Sequence, residues 1–518
     1  MIKIITDYLD ETAARLPDKI AYVEPEHEVT FSQVREKSRI IASGIAREGI
    51  VHRPVAVFLE KSILCIEAMY AVGYSGNFYT VLDTGMPEAR IEKILTTLRP
   101  AAILTDAEHA DRLKADAEHA DGIVTDAKIL LCEDLLSGRA DNEALAKVRA
   151  SMQSTDLMYV LFTSGSTGTP KGVTTSHRAY IEYLEGAREV YELEEDDRFL
   201  SQVPFYFVMA GTDIYAPAQD GCTLHIVPSS YYSFPALLMK YIAENKITFL
   251  YWVPSALAMV VNTKAFGVAD ISSVKKVVFG GEVMPVPVLK AWTQNVPGAF
   301  YINGYGSTEA TDGVTYYRIN REFEDGETLP IGIPYPNTQI LILDENDKPI
   351  GPDGTGELCI KGPSLSYGYY GDPEKTAEAF VQNPLNDSYP EKIYRMGDLV
   401  RYNEYGELIY VGRADSQIQH MGHRVELGEI EAAAHSCAGV RECACLYNEE
   451  KKRIVLYYEG DEEPRGLGKY LKGALPDYML PGRRYKLDEM PRNLNGKIDR
   501  KRLKDMEAEC EDERKSSR

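Results

Sequence analysis

Over roughly the first 330 residues, runs with helical spacing of apolar positions alternate with short, continuously apolar runs. "YLDETAARLPDKIAYV" carries helical spacing and then turns into a short strand, and "FSQVREKSRIIASGIAREG" repeats the helical period up to a glycine stop. "VAVFLEKS", "NFYTVLD", "AAILTD" and "KILLCED" are apolar runs bounded by polar punctuation, with "ARIEKILTTLRP" as a helical stretch among them. "TFLYWVPSALAMVV" and "VKKVVFGGEVMP" continue the alternation. Such alternation predicts an α/β fold with largely parallel sheets.

After about residue 330 the texture changes. "QILILDENDKPIGPDGTGELCIKG" reads as strand, Asp/Gly/Pro turn and strand, and "YRMGDLVRYNEYGELIYVGRADSQIQHMG" repeats that meander. "ELGEIEAAAHSC" opens a helix, "VRECACLYN" and "RIVLYYEG" are strands, and "GLGKYLKGAL" is a further helix. A small α+β unit is therefore expected to begin near Arg413-Ala-Asp415. "DAEHAD" occurs twice, at 106–111 and 116–121, and reads as a local duplication, while the charged end "EAECEDERKSSR" is expected to fray.

With 518 residues the chain exceeds what one core organises, so more than one domain is expected. A net charge of −22 disfavours nucleic acid, which demands clustered Lys and Arg. No secretory signal and no long apolar span is evident, so no membrane partner is expected. The eight cysteines are Cys65, Cys132, Cys222, Cys359, Cys437, Cys443, Cys445 and Cys510; they are scattered without metal or redox spacing, and are expected to be reduced in a cytoplasmic protein.

"LFTSGSTGTPKGV" (161–173) is the densest candidate for chemistry. Gly165, Gly168 and Gly172 let the backbone turn tightly, while Thr163, Ser164, Ser166, Thr167 and Thr169 offer neutral donors and Lys171 a cation. That combination suits a phosphate, but Pro170 before Lys171 breaks the Walker spacing. On composition alone, a Gly/Ser-rich surface turn fits equally well.

The order of residues decides further. "YVLFTSGSTGTPKGV", followed in order by "NGYGSTEA" (303–310), "YRMGDLVRY" (394–402), "GRADSQIQHMGHRVELGEIE" (412–431) and "NLNGKIDR" (493–500), resembles the adenylate-forming superfamily from about Thr30 to Arg500. "ELGEIE" and "NGKIDR" are most similar to adenylation domains of nonribosomal peptide synthetases, including stand-alone members. The resemblance implies a large ATP- and acid-binding domain over 1–413, with an antiparallel, barrel-like part at 330–413. It further implies a small mobile α+β domain over 414–505 and a polar tail over 506–518. It implies an AMP-forming acid–thiol ligase of secondary metabolism that uses ATP and Mg²⁺. The acyl group would go to the phosphopantetheine of a carrier protein supplied in trans, because the sequence stops soon after Lys497. An acyl- or aryl-CoA synthetase, with CoA as acceptor, and an inactive nucleotide-binding regulator are the alternatives.

Roles follow from the same resemblance. Lys497 would bridge the carboxylate and the α-phosphate, Thr308 would contact that phosphate, and Glu309 would hold Mg²⁺. Thr163, Ser164, Gly165, Ser166, Thr167, Gly168 and Lys171 would cradle phosphates. Gly281 and Glu282 are assigned to the nucleotide site with Asn303 (adenine amino group), Tyr305 (adenine face), Asp398 (ribose hydroxyls), Tyr410 and Arg413. Asp415 would be the hinge. The acid pocket would be lined by Phe207, Val208, Met209, Thr212 and Tyr251, and by Val278, Gly280, Gly304, Asp312 and Gly313. Three glycines there are expected to leave room for the acid, and Asp312 is expected either to receive a displaced amine or a hydroxyl, and so set specificity, or to point away and cap a helix.

Two positions depart from the family's pattern. Val208 stands where amino-acid-activating members carry the aspartate that holds the α-ammonium. Either that amine is absent, as in aryl or other simple acids, or its counter-charge lies elsewhere. Gln419, in "QIQHMG", stands where lysine is usual, which bears on the thioester-forming step.

Overall fold

Strands dense in Val, Ile and aromatic residues assemble into parallel-rich sheets, and the chain is a mixed α/β protein, as the pattern predicts. The computed structural model describes residues 2–114, 122–165, 169–228, 230–351, 354–413, 417–492 and 498–506. Ser166, Thr167, Gly168, the second "DAEHAD", Asp415, Lys497 and the tail from 507 lie outside these residues.

The described chain divides into two compact units. The first holds Met1–Thr84, Leu95–Phe162 and Gly172–Asp415. Its nine-stranded sheet has a parallel centre: Phe300–Ser307, Lys276–Gly280, Phe249–Trp252, Arg198–Ser201, Thr223–Ile226 and Ile20–Glu24, in that spatial order. Antiparallel strands close both edges: Asp312–Arg318 with Ile333–Pro334 on one side, and His27–Thr30 on the other. Sequence periodicity does not anticipate these edges, because edge pairing is settled by long-range contacts. In the seven-stranded sheet, Phe78–Leu82, Pro54–Phe58, Ala102–Thr105 and Lys128–Leu131 are the four apolar runs named above, and they are linked in parallel.

Local signals start and stop the helices. Thr30 closes a capping box with Gln33 ahead of Phe31–Arg47, and Gly221 (φ 85°) ends Ala210–Asp220 in the left-handed conformation that costs glycine least. Trp252 and Trp292 are wholly buried in the core of this unit. Gln339–Leu343, Thr355–Lys361, Lys392–Tyr402 and Leu408–Arg413 form the antiparallel meander read from the turn residues.

The second unit holds Gly85–Ile94, Thr163–Lys171 and Ser416–Arg518. Val440–Asn448 and Arg453–Gly460 pair antiparallel, and Arg483–Leu487 joins them in parallel. The helices Leu427–His435 and Pro464–Ala474 pack with these strands around Ile430, Leu456, Leu467 and Leu471. No helix among the described residues is long and apolar enough to cross a membrane.

Candidate functional site

In the first unit, the strand Phe300–Ser307 runs into a single turn, Thr308–Ala310, and returns as Asp312–Arg318. Glu309 sits in that turn with 0% exposure and accepts a hydrogen bond from Tyr369 Oη at 2.9 Å. The Thr308 carbonyl accepts the Thr311 amide at 3.2 Å, tying the turn together. Asn303 donates through Nδ2 to the Pro330 carbonyl at 2.8 Å, which leaves its amide oxygen as the acceptor.

Tyr305 projects from the same strand and donates to Asp398 Oδ2, while Arg413 Nη1 donates to Asp398 Oδ1 at 2.6 Å. Asp398 lies within the strand Lys392–Tyr402, directly paired with Arg413 of Leu408–Arg413. The Tyr410 ring lies 6.4 Å from that of Tyr305. Burial and the neighbouring carboxylate hold the Tyr305 phenol well above its ordinary pKa, so it remains a neutral donor. Four of the predicted nucleotide residues are thus brought together. Glu282 Oε2 accepts the Ser255 amide at 2.9 Å in the first turn of Pro254–Asn262. Gly281 before it adopts φ 82°.

The predicted acid pocket centres on Asp312, which is 6% exposed. Tyr183 Oη donates to Asp312 Oδ2 at 2.8 Å, and Tyr251 Oη approaches Oδ2 and Oδ1 at 3.2 and 3.3 Å. Tyr183 and Thr212 are hydrogen-bonded at 2.8 Å; since the single Tyr183 proton goes to the carboxylate, Thr212 is the donor there. Asp312 therefore caps no helix. Burial raises its pKa to about 6 against the opposing pull of the two tyrosine hydrogen bonds.

Holding Asp312 in this place requires unusual backbone. Thr311 (φ 57°) and Asp312 (φ 78°) are both left-handed, a strain of about 1–3 kcal/mol each. Thr311 Oγ1 anchors the strained pair by donating to the Ser364 carbonyl at 2.6 Å. Opposite them the ladder shifts register between Tyr305 and Gly306, a bulge that re-aims the returning strand. A Cβ on Gly306 would fall 1.6 Å from the Asp312 carbonyl oxygen, so only glycine fits.

The expectation that glycines open space for the acid is not met at Gly313 or Gly280, whereas a Cβ at Gly304 would meet nothing closer than 3.7 Å. A Cβ at Gly313 would lie 2.9 Å from the rings of both Tyr183 and Tyr335, and one at Gly280 would lie 2.6 Å from the Gly304 carbonyl oxygen. These positions are filled by the protein's own atoms; the glycines admit tyrosine rings and a close strand. Met209 and Val278 are buried, and Phe207 and Val208 are half-buried at the start of Ala210–Asp220.

Of the tyrosines here, the sequence reading named Tyr251 but missed Tyr183, Tyr191 and Tyr335. Tyr191 and Tyr335 are hydrogen-bonded at 2.6 Å, and the Tyr191 ring lies 5.8 Å from that of Tyr251. The only sequence signal was the count of 34 tyrosines. Also missed were the half-buried Lys61 and the buried Asp213. Lys61 Nζ donates to the Ser201 carbonyl at 2.9 Å and lies 5.5 Å from the Phe205 ring centre. Burial pushes the lysine pKa down and the aspartate pKa up, and each charge offsets the shift of the other.

In the second unit, the residues around Lys171 engage the chain's own groups. Lys171 Nζ is 3.5 Å from Glu426 Oε1. Ser164 Oγ donates to the Arg424 carbonyl at 2.7 Å, and the Gly165 amide to Glu429 Oε2 at 3.3 Å. Glu429 forms a buried ion pair with Arg90. Thr163 ends the strand Leu157–Thr163.

Comparison with known proteins matches residues 9–370 to the family model described as AMP-binding enzyme. The chain is 31% identical over 510 residues to tyrocidine synthase 3 of Brevibacillus parabrevis, covering 97% of this chain but 8% of that protein. It therefore spans a small part of that relative. It is also 32% identical over 520 residues to zwittermicin A synthase ZmaJ of Bacillus cereus, covering 97% of this chain and 95% of ZmaJ. Among solved structures, NpsA-ThdA, an artificially fused adenylation-PCP di-domain of a nonribosomal peptide synthetase from Klebsiella oxytoca, superposes with a TM-score of 0.81 at 21% identity. That match covers 94% of this chain and 95% of the other, and it shows the fold alone.

Proposed function

Since the chain belongs to the family of AMP-binding enzymes, we propose that it joins a small carboxylic acid to AMP drawn from ATP, with release of pyrophosphate. It then passes the acyl group to the phosphopantetheine thiol of a separate carrier protein. In the first step a carboxylate oxygen forms a bond to the α-phosphorus while the bond from that phosphorus to the bridging oxygen breaks. Pyrophosphate leaves, and no proton moves. In the second step the thiol gives up its proton to solvent, the sulfur bonds to the acyl carbon as the bond from that carbon to the AMP oxygen breaks, and AMP leaves.

The observation that carries this reading is the grouping of Tyr305 and Arg413 on the two oxygens of Asp398, with Tyr410 alongside. An aromatic face beside a fixed two-oxygen acceptor suits a nucleoside, the ring for adenine and the carboxylate for the ribose hydroxyls. Asn303, with its Nδ2 oriented by the Pro330 carbonyl, keeps the acceptor that an adenine amino group needs. Thr308 follows within the same turn region and is assigned the α-phosphate.

Glu309 fits a hard cation. It is a buried carboxylate, and among the described residues no cluster of three or more His, Cys, Asp or Glu side chains could hold a metal. Mg²⁺ bound by one carboxylate, substrate phosphates and water has the donor set that ion prefers, and it would supply charge neutralisation at the phosphates. Lys171 would serve a phosphate only by leaving Glu426. Lys497 and the hinge at Asp415 complete the proposal, with the small domain beginning after Arg413. The seven described cysteines are free and buried, which suits a cytoplasmic protein.

The test is product analysis: the full chain is incubated with ATP, Mg²⁺ and a mixture of amino, hydroxy and aryl acids, first alone and then with either a phosphopantetheinylated carrier or CoA. Acyl-AMP and pyrophosphate, then acyl loading of the carrier, are expected. Acyl-CoA without carrier loading would make the chain a CoA ligase, and ADP with inorganic phosphate would refute the reading.

A further inference from the structure

A cleft in the first unit shares no lining residue with the acid pocket or the nucleotide site. Its volume is about 640 Å³, inside the roughly 300–1,000 Å³ span of small-molecule sites. The charged side chains lining it are Arg178, Lys361, Lys392 and Glu391, and Leu365 and Phe380 give it an apolar wall. Three cations against one carboxylate make a local excess of positive charge on a chain whose net charge is −22.

The carboxylate is already engaged. Glu391 Oε1 accepts Lys361 Nζ at 3.0 Å and Tyr389 Oη at 3.4 Å, and its Oε2 accepts Asn383 Nδ2 at 2.5 Å. It therefore fixes Lys361 in the wall and has little acceptor capacity left. Arg178, in the first turn of the helix His177–Val190, and Lys392, at the start of Lys392–Tyr402, are exposed, and among the described residues neither has an ion-pair partner. Unpaired like charges in one concavity repel each other, and its walls focus their field on whatever enters. A guanidinium fork matches two oxygens of a phosphate at once, and an ammonium adds a point charge.

One short segment both lines this cleft and holds the turn that carries Glu309. Leu365, Ser366 and Tyr367 belong to the wall. The Ser366 amide donates to the Glu309 carbonyl at 2.9 Å, the Ser364 carbonyl accepts Thr311 Oγ1 at 2.6 Å, and Tyr369 Oη donates to Glu309 Oε1 at 2.9 Å.

We propose that the cleft is a binding site for a small organic phosphate monoester, a dianion with an apolar body, and that its occupancy is felt at Glu309 through residues 364–369. Arg178 and Lys392 supply the two charges the dianion needs, and Leu365 and Phe380 receive the body. Binding here does not depend on the adenylation reading.

The experiment is calorimetric titration of the full chain, its nucleotide site filled with Mg²⁺ and α,β-methylene-ATP, at about pH 8, above the second phosphate pKa of about 6. The probes are phenyl phosphate, phenyl sulfate, which has the same ring but one charge, and inorganic phosphate, which has the charge but no ring. Phenyl phosphate is expected to bind one to one and about tenfold more tightly than either of the others. Arg178→Ala combined with Lys392→Ala, both at exposed positions, is expected to weaken it at least about tenfold while leaving ATP–pyrophosphate exchange without probe within about twofold. In exchange with an accepted acid, saturating phenyl phosphate is expected to shift the Km for ATP at least about twofold in the parent and not in the double variant. Absence of one-to-one binding, equal affinity for either comparison probe, or a double variant that binds as tightly as the parent would overturn the site. An ATP Km unmoved at saturation would overturn the link to Glu309. Should no acid support exchange, the adenylation reading fails and the titration still decides the site.

Discussion

Arg413 and Asp398 face each other across two antiparallel strands as direct ladder partners, with the guanidinium nitrogen 2.6 Å from the carboxylate. The pair is largely buried, so removing the acid leaves a cation without its counter-charge. Asp398→Ala is expected to raise the Km for ATP at least tenfold and to lower the melting temperature. Asp398→Asn, which still accepts a hydrogen bond, should recover part of the stability but little of the nucleotide affinity. Exchange kinetics and thermal unfolding of both variants check this; an unchanged ATP Km would remove Asp398 from the nucleotide site.

Gly313→Ala tests the packing of the acid side. Its Cβ would press on Tyr183 and Tyr335 at 2.9 Å, and Tyr183 is the closer of the two donors to Asp312. Overpacking of this kind costs about 1–3 kcal/mol. A larger fall in kcat/KM for the acid than for ATP is expected, measured by varying each substrate in turn. Equal losses for both would show that the glycine serves only the fold.

Asp312 gives stability a pH signature. Its folded pKa of about 6 lies above the ordinary value of 3.8. Its contribution is therefore fully present below pH 4 and is lost as pH rises through 6. The groups facing it are Asp213 and the tyrosines 159, 180, 183, 191, 251 and 335; the tyrosines stay neutral across this range. Without substrate, Asp312→Asn should gain stability relative to wild type by up to about 3 kcal/mol between pH 4 and pH 7. Urea unfolding at both pH values checks it, and a pH-independent difference would contradict the shift.

Lys497→Ala is expected to slow acid-dependent exchange at least a hundredfold while nucleotide affinity changes little. A lysine that neutralises two anions at the reacting centre acts chiefly in the transition state. Exchange and equilibrium nucleotide binding separate the two effects. An exchange rate equal to the parent's would exclude the role.

Much of the architecture was legible in the sequence. Apolar runs such as "VAVFLEKS" and "AAILTD" became adjacent parallel strands, because continuous Val, Ile and Leu suits a strand buried on both faces. Turn residues in "NEYGEL" likewise announced the hairpin between Lys392–Tyr402 and Leu408–Arg413. What stayed hidden depends on distance along the chain. Tyr183 reaches Asp312 across 129 positions, and nothing local marks either residue as the other's partner. Gly313 was misread for the same reason: glycine signals a need for space, but not which side chain fills it. Glu426 facing Lys171 is a third case, joined over 255 positions.

The adenylation chemistry is tested most directly with an acid accepted in exchange, labelled with ¹⁸O in both carboxylate oxygens and turned over with ATP, Mg²⁺ and a thiol acceptor. If the carboxylate attacks the α-phosphorus, the AMP recovered carries one ¹⁸O from the acid and the pyrophosphate carries none. AMP free of the label, or label recovered in inorganic phosphate alongside ADP, would contradict the account.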